Sequence, residues 1–347
     1  MTVLVTGGSG LVGSHVIEAL RARGEVVRAL VRQAGRAAAV ERLGAEVVIG
    51  DVTDAEAWRR AAAGGRGGRR GGVRGIVHAA AIVVRPEPLE RYVAVNVGGT
   101  RLAAETACRI GARLVHLSSV AVYGHAAAYA AGSAQITEDF PFQEISPHDF
   151  YARSKRMGEE AVREAVGRGG LSAAAIRPNV IYGERDRIFT PRVVRIARLR
   201  IAPAIGPGTN RLSCVYAGNV AAAAVAALDA PIAGFRAYHA TEDAPPALTQ
   251  REFARAFAEA LGIRAWSVRV PVAAAKLAAS LGAGWQRLQR PGRYAGLGRA
   301  AIAFATGDNP YVCDRARAEL GWRPPFATRE AIARTARWFR ENEKPGR

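Results

Sequence analysis

A doubly wound, parallel α/β sheet with a smaller mixed α/β C-terminal lobe is the fold class that the sequence predicts, on three observations. Short apolar runs at 3–5, 25–31, 47–49, 76–78 and 114–117 end in small, hydroxyl or turn residues and alternate with helical patterns, the rhythm of a parallel sheet. Gly7, Gly10 and Gly13 stand between the first run and the first helical pattern. Beyond Tyr182 the alternation breaks into mixed helices and short strands rich in Pro and Gly. The 347 residues, 49% hydrophobic and 23% charged, are enough for one large domain with a smaller lobe. Residues 1–180 are assigned to the sheet domain, which takes back sheet-completing segments from about 211–240, and residues 181–347 to most of the lobe.

The charge balance, +19 from 49 Lys+Arg against 30 Asp+Glu, raises the question of a polyanionic partner. The arginines are spread over most segments, which argues against nucleic acid. The one dense cluster, Arg66, Arg69, Arg70 and Arg74 within the glycine-rich run 64–75, reads as a flexible surface loop. Cys108, Cys214 and Cys313 are too far apart and too few for a disulfide framework or zinc-ligand spacing, so no metal is expected and a reducing cytoplasm fits. Neither a leader-like N-terminus nor an apolar stretch of membrane-spanning length is present, and a soluble cytoplasmic protein is expected.

Taken in order, Val3-Leu4-Val5 is a buried strand, and Thr6-Gly7-Gly8-Ser9-Gly10-Leu11-Val12-Gly13 is the turn into a helix that runs to Leu20. Glycines here let the backbone approach a pyrophosphate, while the helix N-terminus presents unpaired N–H groups to it. The second strand ends at Val31-Arg32-Gln33, where a dinucleotide fold tests the adenosine ribose. With arginine in place of an acid, and Arg28 earlier in the strand, the reading favours NADP(H) and leaves NAD(H) open. The third strand leads into Asp51, a candidate acceptor for the adenine amino group, then Val52 and Asp54, a helix cap. The fourth runs through His78, read as a packed core histidine, into Ala79-Ala80-Ala81, small enough for a cofactor to lie against. Asn96 bridges the fourth-strand loop towards the site or packs a helix, and the fifth strand ends in Ser118-Ser119. Ligands of parallel sheets bind outside the carboxyl ends of the strands, so Gly13, Ala80, Ser119 and Tyr151 are expected on one rim.

Tyr151 and Lys155 are four residues apart at the start of a helical segment and share one of its faces. An ammonium fixed beside a phenol is expected to draw its titration down from about 10 towards neutrality, so that it exchanges protons with an alcohol.

The motifs TGGSGLVG at 6–13, GDVTD at 50–54, HAAA at 78–81, NVGGT at 96–100, LSSVAVYG at 117–124, YARSK at 151–155 and RPNVIYG at 177–183 occur in this order. Through them the chain resembles the extended short-chain dehydrogenases/reductases of the NAD-dependent epimerase/dehydratase superfamily. The stretch 177–186 with Pro191-Arg192-Val193-Val194, and the strand end Ala29-Leu30-Val31-Arg32, look most like the 3β-hydroxysteroid dehydrogenase and dihydroflavonol reductase branch. The resemblance implies a Rossmann fold and a catalytic set in which Tyr151 is the general acid/base, Lys155 binds the nicotinamide ribose and lowers the tyrosine pKa, Ser119 holds the reacting oxygen, and Asn96 supports the proton path. It also implies dinucleotide contacts at Gly7, Gly10, Leu11, Val12, Gly13, Arg32, Asp51, Val52, Ala79, Ala80, Ala81, Asn96, Tyr151 and Lys155, with Pro178 and Val180 of the 177–180 segment flanking the nicotinamide, and a homodimer through helices. Val120-Ala121 stand where dehydratases of the family carry an Asp-Glu pair, which lowers that reading.

For the lobe, helices are expected at 218–228, 249–261 and 328–341, and the apolar stretch from Val270 through Leu281 to Trp285 and Leu288 either walls a hydrophobic pocket or packs within the lobe. Its thin basic face argues against membrane-surface contact. Arg195, Arg198, Arg200 and Arg211 are a diphosphate grip or solvated charge. Three functions follow: an NAD(P)-dependent oxidoreductase transferring hydride between nicotinamide and a secondary alcohol or ketone of a bulky apolar small molecule; a nucleotide-sugar epimerase with tightly bound NAD; and a non-catalytic dinucleotide sensor, against which Tyr151 and Lys155 speak.

Overall fold

The computed structural model describes residues 1–63, 72–83, 86–124, 135–278, 280 and 297–342. Seven parallel strands form the central sheet in the order β10-β6-β5-β4-β1-β2-β3. They are β1 (Thr2–Thr6), β2 (Val26–Val31), β3 (Glu46–Ile49), β4 (Val73–His78), β5 (Arg113–Leu117), β6 (Ala173–Arg177) and β10 (Phe235–His239). Residues 47–49, 76–78 and 114–117 are strand as expected and β10 falls within the sheet-completing segments expected at about 211–240, whereas β6 carries no strong sequence signal because its first three residues are alanines. Arg74, read as part of a loop, lies in β4 and pairs with Glu25 and Asp229; Arg66, Arg69 and Arg70 lie outside the described residues.

Side chains alternate across the sheet with period two. Val3, Val5, Val77 and Val115 face one core with α1 (Leu11–Ala22) and, as the second helix on that side, α8 (Ala217–Asp229). Leu4, Ile76 and Leu114 face the other with α3 (Ala55–Ala62), α5 (Gly99–Ile110) and α6 (Phe150–Gly167). The buried alanines of α8, Ala221, Ala223, Ala224 and Ala227, allow close helix approach. Asp54 caps α3 by accepting from the Glu56 N–H at 2.9 Å, as its position before the helix predicts.

The smaller lobe pairs β7 (Val180–Tyr182) with β9 (Cys214–Tyr216) and β8 (Ile201–Ile205) with β11 (Trp266–Val270). Around them pack α7 (Thr190–Arg198), α9 (Gln250–Ala260) and α12 (Thr328–Asn342). The helices expected at 218–228, 249–261 and 328–341 match α8, α9 and α12 to within a residue at each end, but α8, expected in the lobe, packs on the central sheet beside α1. Half-buried Asp243 ties the lobe to α8, accepting from the Tyr182 hydroxyl at 2.5 Å, the Tyr216 N–H at 2.8 Å and Asn219 Nδ2 at 2.7 Å. Of the apolar stretch from Val270, a helix at 272–278 is described, and Leu277 on it is 62% exposed. The described part therefore does not pack fully into its own lobe, and Ala279 and residues 281–288 lie outside the described residues. No helix among the described residues is long and apolar enough to cross a membrane.

Helix α6 is locked to the sheet by a fully buried ion pair. Arg177, the last residue of β6, donates from Nε and Nη2 to the Glu159 carboxylate at 2.8 and 2.6 Å, and from Nη1 to the Tyr123 hydroxyl and the Glu138 carbonyl. Removing one partner leaves the other charge buried and unpaired, which costs about 3–5 kcal/mol. Arg177→Met is expected to lose that much stability in urea unfolding, and Arg177→Met with Glu159→Leu to recover most of it. Equal losses in the single and double variants would show that the pair does not carry the attachment.

Candidate active site

The strand order reverses between β1 and β4, where the loops leaving the carboxyl ends diverge and leave a crevice. The glycine turn fills its floor. Gly7 adopts φ +71°, and a Cβ there would lie 2.7 Å from both the Ala79 carbonyl carbon and the Ala80 nitrogen. A Cβ on Gly13 would collide with the Gly7 carbonyl oxygen. Gly10 caps α1 without a side-chain hydrogen bond, so the first N–H groups of that helix point at the crevice without competition from a capping side chain. Leu11 and Val12 begin the helix half-buried. Backbone that only glycine permits, at a helix N-terminus beside small residues, fits the diphosphate of a dinucleotide.

On the adenosine side, Arg32 is exposed just after β2. Arg28 does not join it: the side chain is buried, pairing with Glu46 and donating to the Ala61 and Ala63 carbonyls. Asp51 accepts from the Thr53 N–H and hydroxyl at 3.0 and 2.9 Å, which fixes its carboxylate beside the β3 end. Val52 is buried against Gly99, whose Cβ would stand 3.0 Å from a valine methyl. Ala79, Ala80 and Ala81 follow β4 half-buried, and the Ala80 N–H donates to Thr6 Oγ1 at 3.2 Å.

Asn96 sits in a π-helical turn, Val93–Gly98, a distortion that often marks functional positions. Its Oδ1 accepts from the Ile82 N–H at 2.7 Å, and its Nδ2 donates to the Ile82 carbonyl at 3.0 Å and to Ser154 Oγ at 2.9 Å. With both amide ends so engaged, Asn96 bolts the loop after β4 to α6. Ser154 is a partner that the sequence reading gave no role, although it lies within the YARSK run.

Helix α6 starts at an N-cap made by Asp149, which accepts from the Ala152 N–H at 3.1 Å. Tyr151, in its first turn, is half-buried, and Ser119 is near enough to act on its titration. Ser119 caps a 3₁₀ turn, accepting from the Ala121 N–H at 3.2 Å. Lys155 Nζ donates to the Leu117 carbonyl at 2.6 Å. Pro178 is buried, its carbonyl receiving the Val120 N–H at 3.0 Å, and half-buried Val180 opens β7. Arg177, the first residue of the 177–180 segment expected at the nicotinamide end, is instead held in the ion pair with Glu159. His78 is buried, bonded to Thr6 Oγ1 at 2.8 Å and stacked on His116; burial first, then Lys155, holds it down to about 3.

The model of the NAD dependent epimerase/dehydratase family matches residues 3–239. The chain belongs to this family. It is 32% identical over 324 residues to a 4-hydroxy-2-methyl-3-oxo-4-farnesyl-3,4-dihydroquinoline-1-oxide ketoreductase of Stigmatella aurantiaca, covering 93% of this chain and 92% of that one. To a 3 beta-hydroxysteroid dehydrogenase/Delta 5-->4-isomerase of Mycobacterium tuberculosis it is 32% identical over 346 residues, 95% of this chain and 88% of that one. Among solved structures, UDP-glucose 4-epimerase of Thermotoga maritima superposes with a TM-score of 0.73 at 19% identity over 98% of this chain and 99% of that one, a likeness of fold.

In this member of the epimerase/dehydratase family the electrostatics differ from the simple expectation for a phenol beside an ammonium. Burial pushes Tyr151 up to about 12; the Ser119 hydrogen bond opposes it, while Asp149 and Tyr92 add to it. Lys155 is not among the groups that set this shift; its ammonium donates to the Leu117 carbonyl and is itself drawn by burial to about 8, with Glu159 opposing. Between about 8 and the ordinary 10.5 the unfolded chain therefore holds more protons than the folded one, and stability rises with pH. Lys155→Met is expected to be more stable than the parent at pH 7, by on the order of 3 kcal/mol from this source. The gap should close as pH rises through 8 towards 10.5 in urea unfolding; a gap constant across that range would contradict the burial cost.

Proposed function

We propose that the enzyme reduces a ketone, or oxidises the corresponding secondary alcohol, on a bulky apolar small molecule. The observation that carries this reading is the gathering of Ser119 and Tyr151 at the carboxyl rim, with Lys155 on the same helix bonded to the Leu117 carbonyl and the glycine turn across the crevice. When bound, a nicotinamide dinucleotide supplies or accepts the hydride. Ser119 and Tyr151 hold the substrate oxygen, and as charge builds on that oxygen the Tyr151 hydroxyl gives up its proton to it. The Tyr151 phenol, protonated at neutral pH, is the proton donor when the enzyme runs as a reductase. Lys155 positions the rim by bonding Leu117, and Asn96 positions the loop beyond β4. We assign the substrate side to the lobe formed mostly by residues 181–347.

The substrate class rests on the relatives. One is named for a farnesylated dihydroquinoline and the other for a steroid, both largely apolar ring systems carrying an oxygen function. Exposed Arg32 at the β2 end favours NADP(H), through a charge-assisted pair with a 2′-phosphate.

Tyr151→Phe is expected to lower turnover of a steroid or aryl ketone by at least about a hundredfold while dinucleotide binding, read by fluorescence titration, stays unchanged. Undiminished turnover would remove Tyr151 from the chemistry. In steady-state kinetics with both cofactors, Arg32→Ala is expected to raise KM for NADPH by at least about tenfold and to leave that for NADH nearly unchanged; a parent that strongly prefers NADH contradicts the assignment. Redox-neutral interconversion of UDP-sugars without net cofactor turnover would replace the reductase reading by an epimerase.

A further inference from the structure

Half of the large apolar side chains that are exposed among the described residues fall in two short segments that the β8–β11 pair brings together. Ile196 and Leu199 are 37% and 67% exposed, Trp266 and Val268 are 78% and 39%, and Leu277 is 62%. The Trp266 N–H donates to the Arg200 carbonyl at 2.8 Å, joining the end of α7 to the start of β11. The helix at 272–278 then follows β11 directly. On α7 the residues Thr190, Val194 and Ala197 are buried, whereas Arg192, Arg195, Ile196 and Leu199 all face solvent. Trp266, Val268 and Val270 share one side of β11 and span about 13 Å.

The same segments have one sign of charge. No aspartate or glutamate occurs between Asp186 and Asp229, or between Glu259 and Asp308. Exposed basic residues stand among the apolar ones: Arg192, Arg195 and Arg200 beside Leu199, Arg264 before Trp266, and Lys276 beside Leu277. Sequence reading found the basic face of the 270–288 stretch thin because the companions come from α7, more than sixty residues earlier, and only the β8–β11 pairing adds them. A lone exposed leucine is unremarkable, but exposed apolar side chains gathered in segments that the β8–β11 pairing brings together need a reason.

We propose that this face docks the protein on an anionic lipid surface. Tryptophan and leucine enter the headgroup boundary, and the surrounding arginines and lysine meet the lipid charge. A second copy of the chain, as another cationic face, is electrostatically disfavoured. The inference does not depend on the reductase reading, and its test involves no catalysis.

The full chain is sedimented with vesicles of phosphatidylcholine, alone or mixed with phosphatidylglycerol. Binding is expected to the mixed vesicles, to be released by salt, and to be absent with phosphatidylcholine alone. Arg195→Gln with Arg264→Gln is expected to weaken it roughly thirtyfold, at about 1 kcal/mol per basic residue, and Trp266→Ser with Leu199→Ser by at least about tenfold. Thermal melting establishes that each variant is folded, and quenching of parent tryptophan fluorescence by brominated lipid reads the contact without any variant. Absence of binding, equal binding to neutral vesicles, or folded variants that bind like the parent would overturn the proposal. So would a dimer in sedimentation velocity that Trp266→Ser dissociates, since the face would then belong to a second copy.

Discussion

The placement of α6 against the sheet is the constraint on which the rest of the site depends, and a buried ion pair sets it. Arg177 at the end of β6 and Glu159 on α6 satisfy each other with no exposure to water. Four residues earlier on that helix, Lys155 reaches the Leu117 carbonyl at the end of β5, and Tyr151, a further turn back, meets Ser119 just beyond it. Asn96 adds a third tie, from the loop after β4 to Ser154. Three adjacent strand ends are thus fastened to one helix, and the phenol is carried to the rim by backbone geometry that no flexible loop has to hold.

The same attachments explain why the titrations are not those of isolated side chains. An ammonium within a helical turn of a phenol would favour phenolate in water. Here desolvation acts on both groups, and the Leu117 carbonyl takes the lysine's strongest bond. The phenol keeps its proton and the lysine holds its own less tightly. In a reductase that arrangement suits the proton-donating partner of hydride transfer.

Much of the sheet was legible because its signals are local: strand runs, the glycine turn, the Asp54 cap and the alternation of helix and strand each lie within a few residues. The lobe helices were legible for the same reason. β6 was not, because an alanine-filled strand acquires its identity from neighbours in the sheet. The roles of Arg28 and Arg177 were illegible too, since each depends on a partner, Glu46 or Glu159, that only the fold brings near. Motif order pointed to Tyr151, Lys155 and Ser119, but the destination of the lysine's hydrogen bond, a main-chain carbonyl, leaves no mark in sequence. Likewise the basic and apolar strip of the lobe is assembled from α7 and β11 and exists only in three dimensions.

The central claim, that Tyr151 stands ready as a proton donor, is most directly tested by ¹³C NMR of the enzyme labelled at tyrosine Cζ, with Tyr151→Phe assigning the resonance. A Tyr151 signal that stays at the phenol shift through neutral pH and moves only on approach to about 12 is what burial requires. A Tyr151 signal at the phenolate shift near neutrality would contradict the account.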